Sequence, residues 1–526
     1  MPIIKNKCPQ CNKPAETVAE KLIAGIRINQ YPCGHIEAVH QLEVRDFANF
    51  VSSDGHRPRK FQIEGALFGI NGNARVLIAD DMGLGKTVQA CMIMATHPSE
   101  LTKFLVLCKA GLKAQWTKEV ARWCGSDWLP QVVSTEQDYL VPGVKGFVLS
   151  FDTLWRFKDI ESWMQKARIK FIILDEVQHI KNSDSKRTNG VRLASRQVKH
   201  IVGLSGTPIK NHAGEYFTVL NLIRPDLFRT KATFDQVWVD TYWSGRTLKY
   251  GGLKDQKSFE RYTKDFIIRR TREEVMPELP TVTRDFRFSE LGPAVEKAYI
   301  DTFKQFQNYM NYDSIGVSAI EKQANILSYL SKMRHLTGIA KIEPVIDYTE
   351  DFIESTSRKL VIFAHHKDVG AALLERLSAL CAANPEKWGS GVLNIQGISP
   401  DNRAPIIEQF ALPGYRILIA GELASSEGLN LQFCDACVLM ERQWNPANEE
   451  QAEARFIRIG QVSNKVTAMY PIAIGTIDEF LTELIEKKRQ FMLNTLDGKE
   501  IQWNQSSIIQ ELAEILNQTG GKKWSI

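Results

Sequence analysis

The sequence predicts an α/β fold of two parallel-sheet lobes separated by a long helical insertion. Two observations carry this reading. Short apolar runs alternate with helical patterns over residues 46–210 and again over 357–480, the signature of strands joined by crossover helices. Between them, residues 211–356 lose the alternation and take on helical periodicity. A chain of 526 residues is also too long for a single compact core.

Composition narrows the class. A hydrophobic fraction of 44% and a charged fraction of 24% are those of an ordinary globular protein. No apolar run approaches a membrane span, and the N-terminus lacks the charged-then-apolar layout of a signal peptide, so the reading is intracellular, with no membrane partner. A net charge of +5 permits a polyanionic partner without demanding one. Of nine cysteines, those isolated in apolar stretches (Cys91, Cys108, Cys381) read as reduced core residues.

Residues 1–45 are a separate module. Cys8-Pro-Gln-Cys11 and Cys33-Gly34-His35 form two knuckles, each able to turn two ligands toward one point. Three thiolates and an imidazole would close a tetrahedral Zn²⁺ site of structural type, with His40 competing as fourth ligand. So short a segment needs such a staple to fold, which makes it a zinc-ribbon-like module. Cys434 and Cys437 have no partner pair and sit beside an apolar strand, so they read as core.

In the first lobe, 46–210, the apolar run Val76-Leu77-Ile78-Ala79 leads into Asp80-Asp81-Met82-Gly83-Leu84-Gly85-Lys86-Thr87. This is a strand entering a phosphate-binding loop. Gly83 and Gly85 let the backbone turn so that its N–H groups face phosphates. Lys86 reaches the β- and γ-phosphates, and the Thr87 hydroxyl can hold Mg²⁺ at the start of the next helix. Asp80 occupies the place of the pattern's usual first glycine. Strands Phe104–Leu107, Gly146–Ser150, Phe171–Leu174 and Ile201–Ser205 follow. The third ends in Asp175-Glu176-Val177-Gln178, which puts carboxylates where a parallel sheet binds ligands. Asp175 would hold Mg²⁺ through water, and Glu176 would orient or deprotonate the attacking water.

The insertion carries a basic cluster, Arg269, Arg270 and Arg272, and a turn at Pro277-Glu278-Leu279-Pro280. The second lobe, 357–480, resumes with strands at Lys359–Phe363, Val392–Gln396, Arg416–Ala420 and Val438–Met440. Residues 481–526 read as a helical, basic brace (Lys487, Lys488, Arg489) packing back across the lobes.

Two further stretches, Ser205-Gly206-Thr207-Pro208 and Gln451-Ala-Glu-Ala-Arg455-Phe-Ile-Arg458-Ile-Gly-Gln461, complete a pattern. With the phosphate loop, the Asp-Glu box and Trp444-Asn445-Pro446, they resemble the Snf-family DNA-dependent ATPases of helicase superfamily two. Phe266-Ile-Ile-Arg-Arg270 followed by Leu279-Pro280 looks most like the compact annealing-helicase and fork-remodelling branch. The resemblance runs from about Arg57 to Lys488.

It implies two RecA-like lobes and an ATP-driven motor, acting as a monomer, that tracks along double-stranded or forked DNA. Gln62 would read the adenine edge, Asp81 to Thr87 the phosphates, and Gln451 the nucleotide from the second lobe. Ser205 and Thr207 would couple nucleotide to nucleic acid, and Arg455 and Arg458, three apart on a helix, would meet the γ-phosphate. DNA contacts would come from Lys109, Gly111, Ser150, Gly397, the loop Ala424–Asn430 with Ser425, and Trp444. The N-terminal module would select a DNA structure or a protein partner. Departures are Gln178 for the usual histidine, Phe456-Ile457 for Ala-His, and Ser426-Glu427 for Gly-Gly. Two other readings stand beside this one: a strand-separating helicase on DNA or RNA, and a nucleotide-gated recruitment scaffold.

Overall fold

The computed structural model describes residues 19–519 apart from 24–25, 31–32, 34–35, 40–46, 48, 73, 97–102, 181, 207–212, 245–246, 314–315, 400–401, 422–428, 445 and 495–504. The chain divides into two compact units, Met1–Val275 and Met276–Ile526.

The first unit begins with an antiparallel three-stranded sheet, β1 (Ala19–Ile23), β2 (Ile26–Gln30) and β3 (Ile36–Val39). Its main sheet is built from β4 (Arg75–Ile78), β5 (Lys103–Cys108), β6 (Gln131–Val132), β7 (Gly146–Ser150), β8 (Ile169–Asp175) and β9 (His200–Leu204). A hairpin of β10 (Val239–Ser244) and β11 (Thr247–Leu253) follows, then β12 (Ile267–Ile268). The main sheet runs β12-β4-β9-β8-β5-β7-β6 with every pair parallel. Parallel strands need crossover helices on both faces, so the central strands are apolar throughout rather than alternating. Val76, Leu77 and Ile78 of β4 and Ile172, Ile173 and Leu174 of β8 are fully buried accordingly.

The second unit repeats the plan. Its strands are β13 (Thr281–Ser289), β14 (Leu360–Ala364), β15 (Val392–Asn394), β16 (Ile417–Gly421), β17 (Ala436–Leu439) and β18 (Lys465–Ala473). They form an all-parallel sheet in the order β13-β18-β17-β14-β16-β15.

Residues 211–356 are not helical throughout. They contain the β10–β11 hairpin, while β12 extends the edge of the first sheet and β13 pairs along its whole length with β18. Thr281-Val-Thr-Arg-Asp-Phe-Arg-Phe-Ser289 alternates in polarity only weakly, and an edge position beside a long neighbour decides its conformation. Short helices Tyr216–Ile223, Lys231–Trp238, Gln256–Thr263 and Arg272–Val275 belong to the first unit, and the long helices of the second unit in this stretch are Pro293–Asn308, Ala319–Ala340 and Ile342–Ser355. The C-terminal helices Ile477–Asn494 and Gln505–Thr519 pack with the first two of these long helices around Phe306, Leu330, Met333, Leu481 and Leu512, within the second unit. Arg489 of the brace is buried, donating to Glu449 at 2.6 Å, and Arg442 grips the same carboxylate at 2.9 and 3.0 Å. The basic tail thus includes an internal ion pair.

Candidate nucleotide-binding site

The site lies at the carboxyl edge of the first sheet. Beyond β4 the chain turns through Asp80–Gly85 into helix Lys86–Ala95. Gly83 (φ +89°) and Gly85 (φ +72°) hold left-handed backbone, where a side chain is strained. A Cβ on Gly85 would also fall 2.3 Å from Gln62 Nε2. Gln62 is buried. It donates to the Leu84 carbonyl at 3.0 Å and accepts from the Arg59 N–H at 2.9 Å, tying helix Lys60–Asn71 to the loop. Gly206 permits another close approach, since a Cβ there would meet Met82 Cγ at 2.5 Å.

Lys86 Nζ donates to the Asp80 carbonyl at 2.8 Å and the Asp81 carbonyl at 3.1 Å. Burial pushes its pKa down, while the negative charges of Glu176, Asp80, Asp175 and Asp81 oppose that shift. Thr87 follows it in the first turn, partly exposed.

Asp175 ends β8. Burial, then the neighbouring charge of Glu176, raise its pKa to about 6, against the Trp116 indole N–H donated at 2.8 Å and the charges of Lys86 and Lys109. Glu176 has φ +54°, a left-handed conformation rare for a non-glycine residue and characteristic of functional turns. Its Oε2 accepts from Gln178 Nε2 at 2.5 Å, and Gln178 Oε1 accepts from the buried Ser205 hydroxyl at 2.7 Å. A histidine's usual place is therefore filled by an amide that both donates and accepts, linking the Asp-Glu turn to the end of β9. Sequence alone flagged Gln178 as a departure and missed this bridge. It missed Trp116 altogether, 59 residues from its partner. Two carboxylates crowded together at reduced solvation, with an ammonium near them, suit a divalent cation carrying a polyphosphate.

In the second unit, helix Pro446–Glu453 stops before either arginine. Arg455 and Arg458 lie in the turns that follow, closed by Arg455 N–H to the Ala452 carbonyl and Gln461 N–H to the Arg458 carbonyl, and so are not on a helix. Between them Phe456 and Ile457 are buried in the core, Phe456 edge-on to Phe363 at 6.2 Å. This unexpected apolar pair anchors the turn and leaves its flanking arginines half-buried. Arg458 donates to Asn430 Oδ1, and Gln451 is buried.

The residues expected at DNA are placed unevenly. Lys109 and Gly111 follow the carboxyl end of β5, and Gly397 (φ +78°) follows β15 with open space beside it. Ser150 ends β7, is buried, and caps the next helix by accepting from the Thr153 N–H at 3.0 Å. Trp444 is 7% exposed within the helical core, with the Arg334 guanidinium 5.5 Å from its ring centre. Its surface belongs to packing here. Thr207 and Ser425 lie outside the described residues.

Comparison with known families adds the deciding observation. The SNF2-related domain model matches residues 61–338. The chain belongs to the SNF2-related family. The model of the helicase conserved C-terminal domain matches residues 340–460 of this SNF2-related chain. Among relatives, it is 27% identical over 457 residues to the DNA annealing helicase and endonuclease ZRANB3 of Mus musculus, covering 84% of this chain and 41% of that protein. It is 28% identical over 456 residues to the SWI/SNF-related matrix-associated actin-dependent regulator of chromatin subfamily A-like protein 1 of Xenopus tropicalis, covering 84% of this chain and 45% of the relative. The SNF2-related chain thus spans less than half the length of these relatives. The Sulfolobus solfataricus SWI2/SNF2 ATPase core in complex with dsDNA matches at 21% identity and TM-score 0.38, over 91% of this chain and 99% of that one.

No helix among the described residues is long and apolar enough to cross a membrane. Of the expected zinc ligands, Cys8, Cys11 and His35, with the competing His40, lie outside the described residues. Cys33 is described, partly buried and not in a disulfide. Among the described residues no group of three or more His, Cys, Asp or Glu is arranged to hold a metal ion.

Proposed function

We propose that the protein couples ATP hydrolysis to movement along double-stranded or forked DNA. The observation that carries this is the assembly of Lys86, Asp175, Glu176, Gln178 and Ser205 at one sheet edge. A phosphate-binding lysine there senses both carboxylates, and the Asp-Glu turn is wired by Gln178 to Ser205. Gln62 faces the adenine edge, and Asp81 to Thr87 wrap the phosphates. Thr87 and Asp175 would hold Mg²⁺, which would supply charge neutralisation for the transferring phosphoryl group. Glu176 orients the attacking water. Arg455 and Arg458 act on the γ-phosphate from the second lobe, with Gln451 beside the nucleotide, when the lobes close on ATP. Ser205 and Thr207 pass the nucleotide state to the nucleic acid. Lys109, Gly111, Gly397 and the loop with Ser425 engage phosphates, so the groove reads backbone shape rather than base sequence.

ATPase rates measured side by side with duplex, fork, single-stranded DNA and RNA test the reading. Stimulation by duplex or fork DNA is expected; stimulation by none of the DNAs would overturn it. Strand separation is a second reading, favoured by the β10–β11 hairpin within the first unit. A directional unwinding assay on forked substrates distinguishes it from translocation alone.

The N-terminal module is proposed to hold one structural Zn²⁺ through Cys8, Cys11, Cys33 and His35 or His40, and to select a DNA structure or protein partner. The knuckle spacing supports this, as does the position of Cys33 in the turn between β2 and β3.

A further inference from the structure

Asp80 stands where the phosphate-loop pattern has its first glycine, and the structure shows what it does. Its carboxylate is fully buried and gripped by two prongs of Arg270, Nε at 3.0 Å and Nη2 at 2.5 Å, and by Gln89 Nε2 at 2.8 Å. Arg270 Nη2 also donates to Gln89 Oε1 at 3.0 Å, closing a ring of three side chains. Its Nη1 donates to the carbonyl of Phe61, next to Gln62. One guanidinium therefore touches the start of the phosphate loop, the helix that follows it and the helix that carries Gln62. The ring is tightly built: a Cβ on Gly65 would lie 1.8 Å from Gln89 Oε1 and 2.5 Å from Arg270 Nη2.

The backbone repeats the connection. Leu77, Ala79 and Asp81 N–H groups donate to the carbonyls of Phe266, Ile268 and Arg270 at 2.7, 2.7 and 3.0 Å, and Arg272 N–H donates to Asp81 Oδ2 at 3.2 Å. Residues 266–272 are thus zipped to the leading edge of the loop, and the first unit ends at Val275.

We infer that Arg270 is a positioning residue: by clamping Asp80 it sets the shape of the phosphate loop and links nucleotide occupancy to the segment by which the chain leaves the first unit. The inference rests on the ATP reading of this site. A glycine-rich loop has several conformations open to it, and a largely buried guanidinium that binds the Asp80 carboxylate through two hydrogen bonds selects one.

The test is hydrogen exchange and kinetics on the full chain. Asp80→Asn with Arg270→Met removes both charges, so no unpaired buried charge remains to unfold the lobe. Arg270→Lys keeps the charge but not the fork and is read in parallel. Without nucleotide, the amides of Ala79 and Asp81 should exchange faster in both variants while β5 and β7 keep their protection. With a non-hydrolysable ATP analogue, wild type should gain protection over 266–272 and the variants should not. Turnover should fall about a hundredfold, the scale of a loop misplaced by about 1 Å, with Arg270→Lys between. Unchanged exchange at Ala79 and Asp81, or wild-type turnover in Arg270→Lys, would overturn the clamp. If wild type bound no ATP, the reading of the site would fall, while exchange without nucleotide would still test the clamp.

Discussion

Asp175 should make the first lobe less stable at neutral pH than it would be without its charge. Its folded pKa of about 6 lies above the ordinary aspartate value of 3.8, because burial and Glu176 disfavour the ionised form. A raised folded pKa contributes stability that is fully present below the unfolded pKa and lost as pH rises through the folded one. The loss therefore falls between about pH 4 and pH 6, and at pH 7.5 the carboxylate is ionised at full cost. A shift of about two pKa units corresponds to up to about 3 kcal/mol. Asp175→Asn removes that cost and keeps an oxygen to accept the Trp116 indole N–H now donated at 2.8 Å. Urea unfolding followed by tryptophan fluorescence, wild type against variant, should show the variant more stable by up to about 3 kcal/mol at pH 7.5. The gap should close toward pH 4. Mg²⁺ with ATP should narrow it at pH 7.5 by stabilising wild type selectively, because ligand binds the folded state. A variant no more stable than wild type at pH 7.5, or a gap independent of pH, would refute the reasoning.

Three other outcomes are expected. Gly85→Ala should destabilise the first lobe by about 1–3 kcal/mol and weaken nucleotide binding, since its Cβ meets both a left-handed backbone and Gln62; calorimetry and a fluorescent-nucleotide titration measure the two effects. Arg458→Ala should lower DNA-stimulated turnover by about a thousandfold while changing ATP affinity less, which steady-state kinetics resolves. Purified protein should carry one zinc per chain by metal analysis, lost in Cys8→Ser with Cys11→Ser; an absence of zinc in wild type would end that proposal.

The parts of the fold legible in the sequence were those with local causes. Val76–Thr87 and Phe171–Glu176 announce themselves because an apolar run, a turn and a charged terminus all fall within one short window. The β10–β11 hairpin did not, since its aromatic residues also suit a helix face. β13 takes its conformation from β18, almost two hundred residues later. Arg270 read as part of a basic cluster because its partner Asp80 is 190 residues away, beyond any periodicity. Helical spacing of Arg455 and Arg458 was expected from sequence, yet the helix ends at Glu453, where burial of Phe456 and Ile457 pulls the chain into turns.

Movement along duplex DNA is the central claim, and displacement of a third strand from a triplex tests it most directly. Wild type with ATP should release a triplex-forming oligonucleotide placed ahead on the duplex, while Glu176→Gln should bind ATP and release it at least about a hundredfold more slowly. ATP hydrolysis stimulated by duplex with no displacement by wild type would contradict a translocating motor.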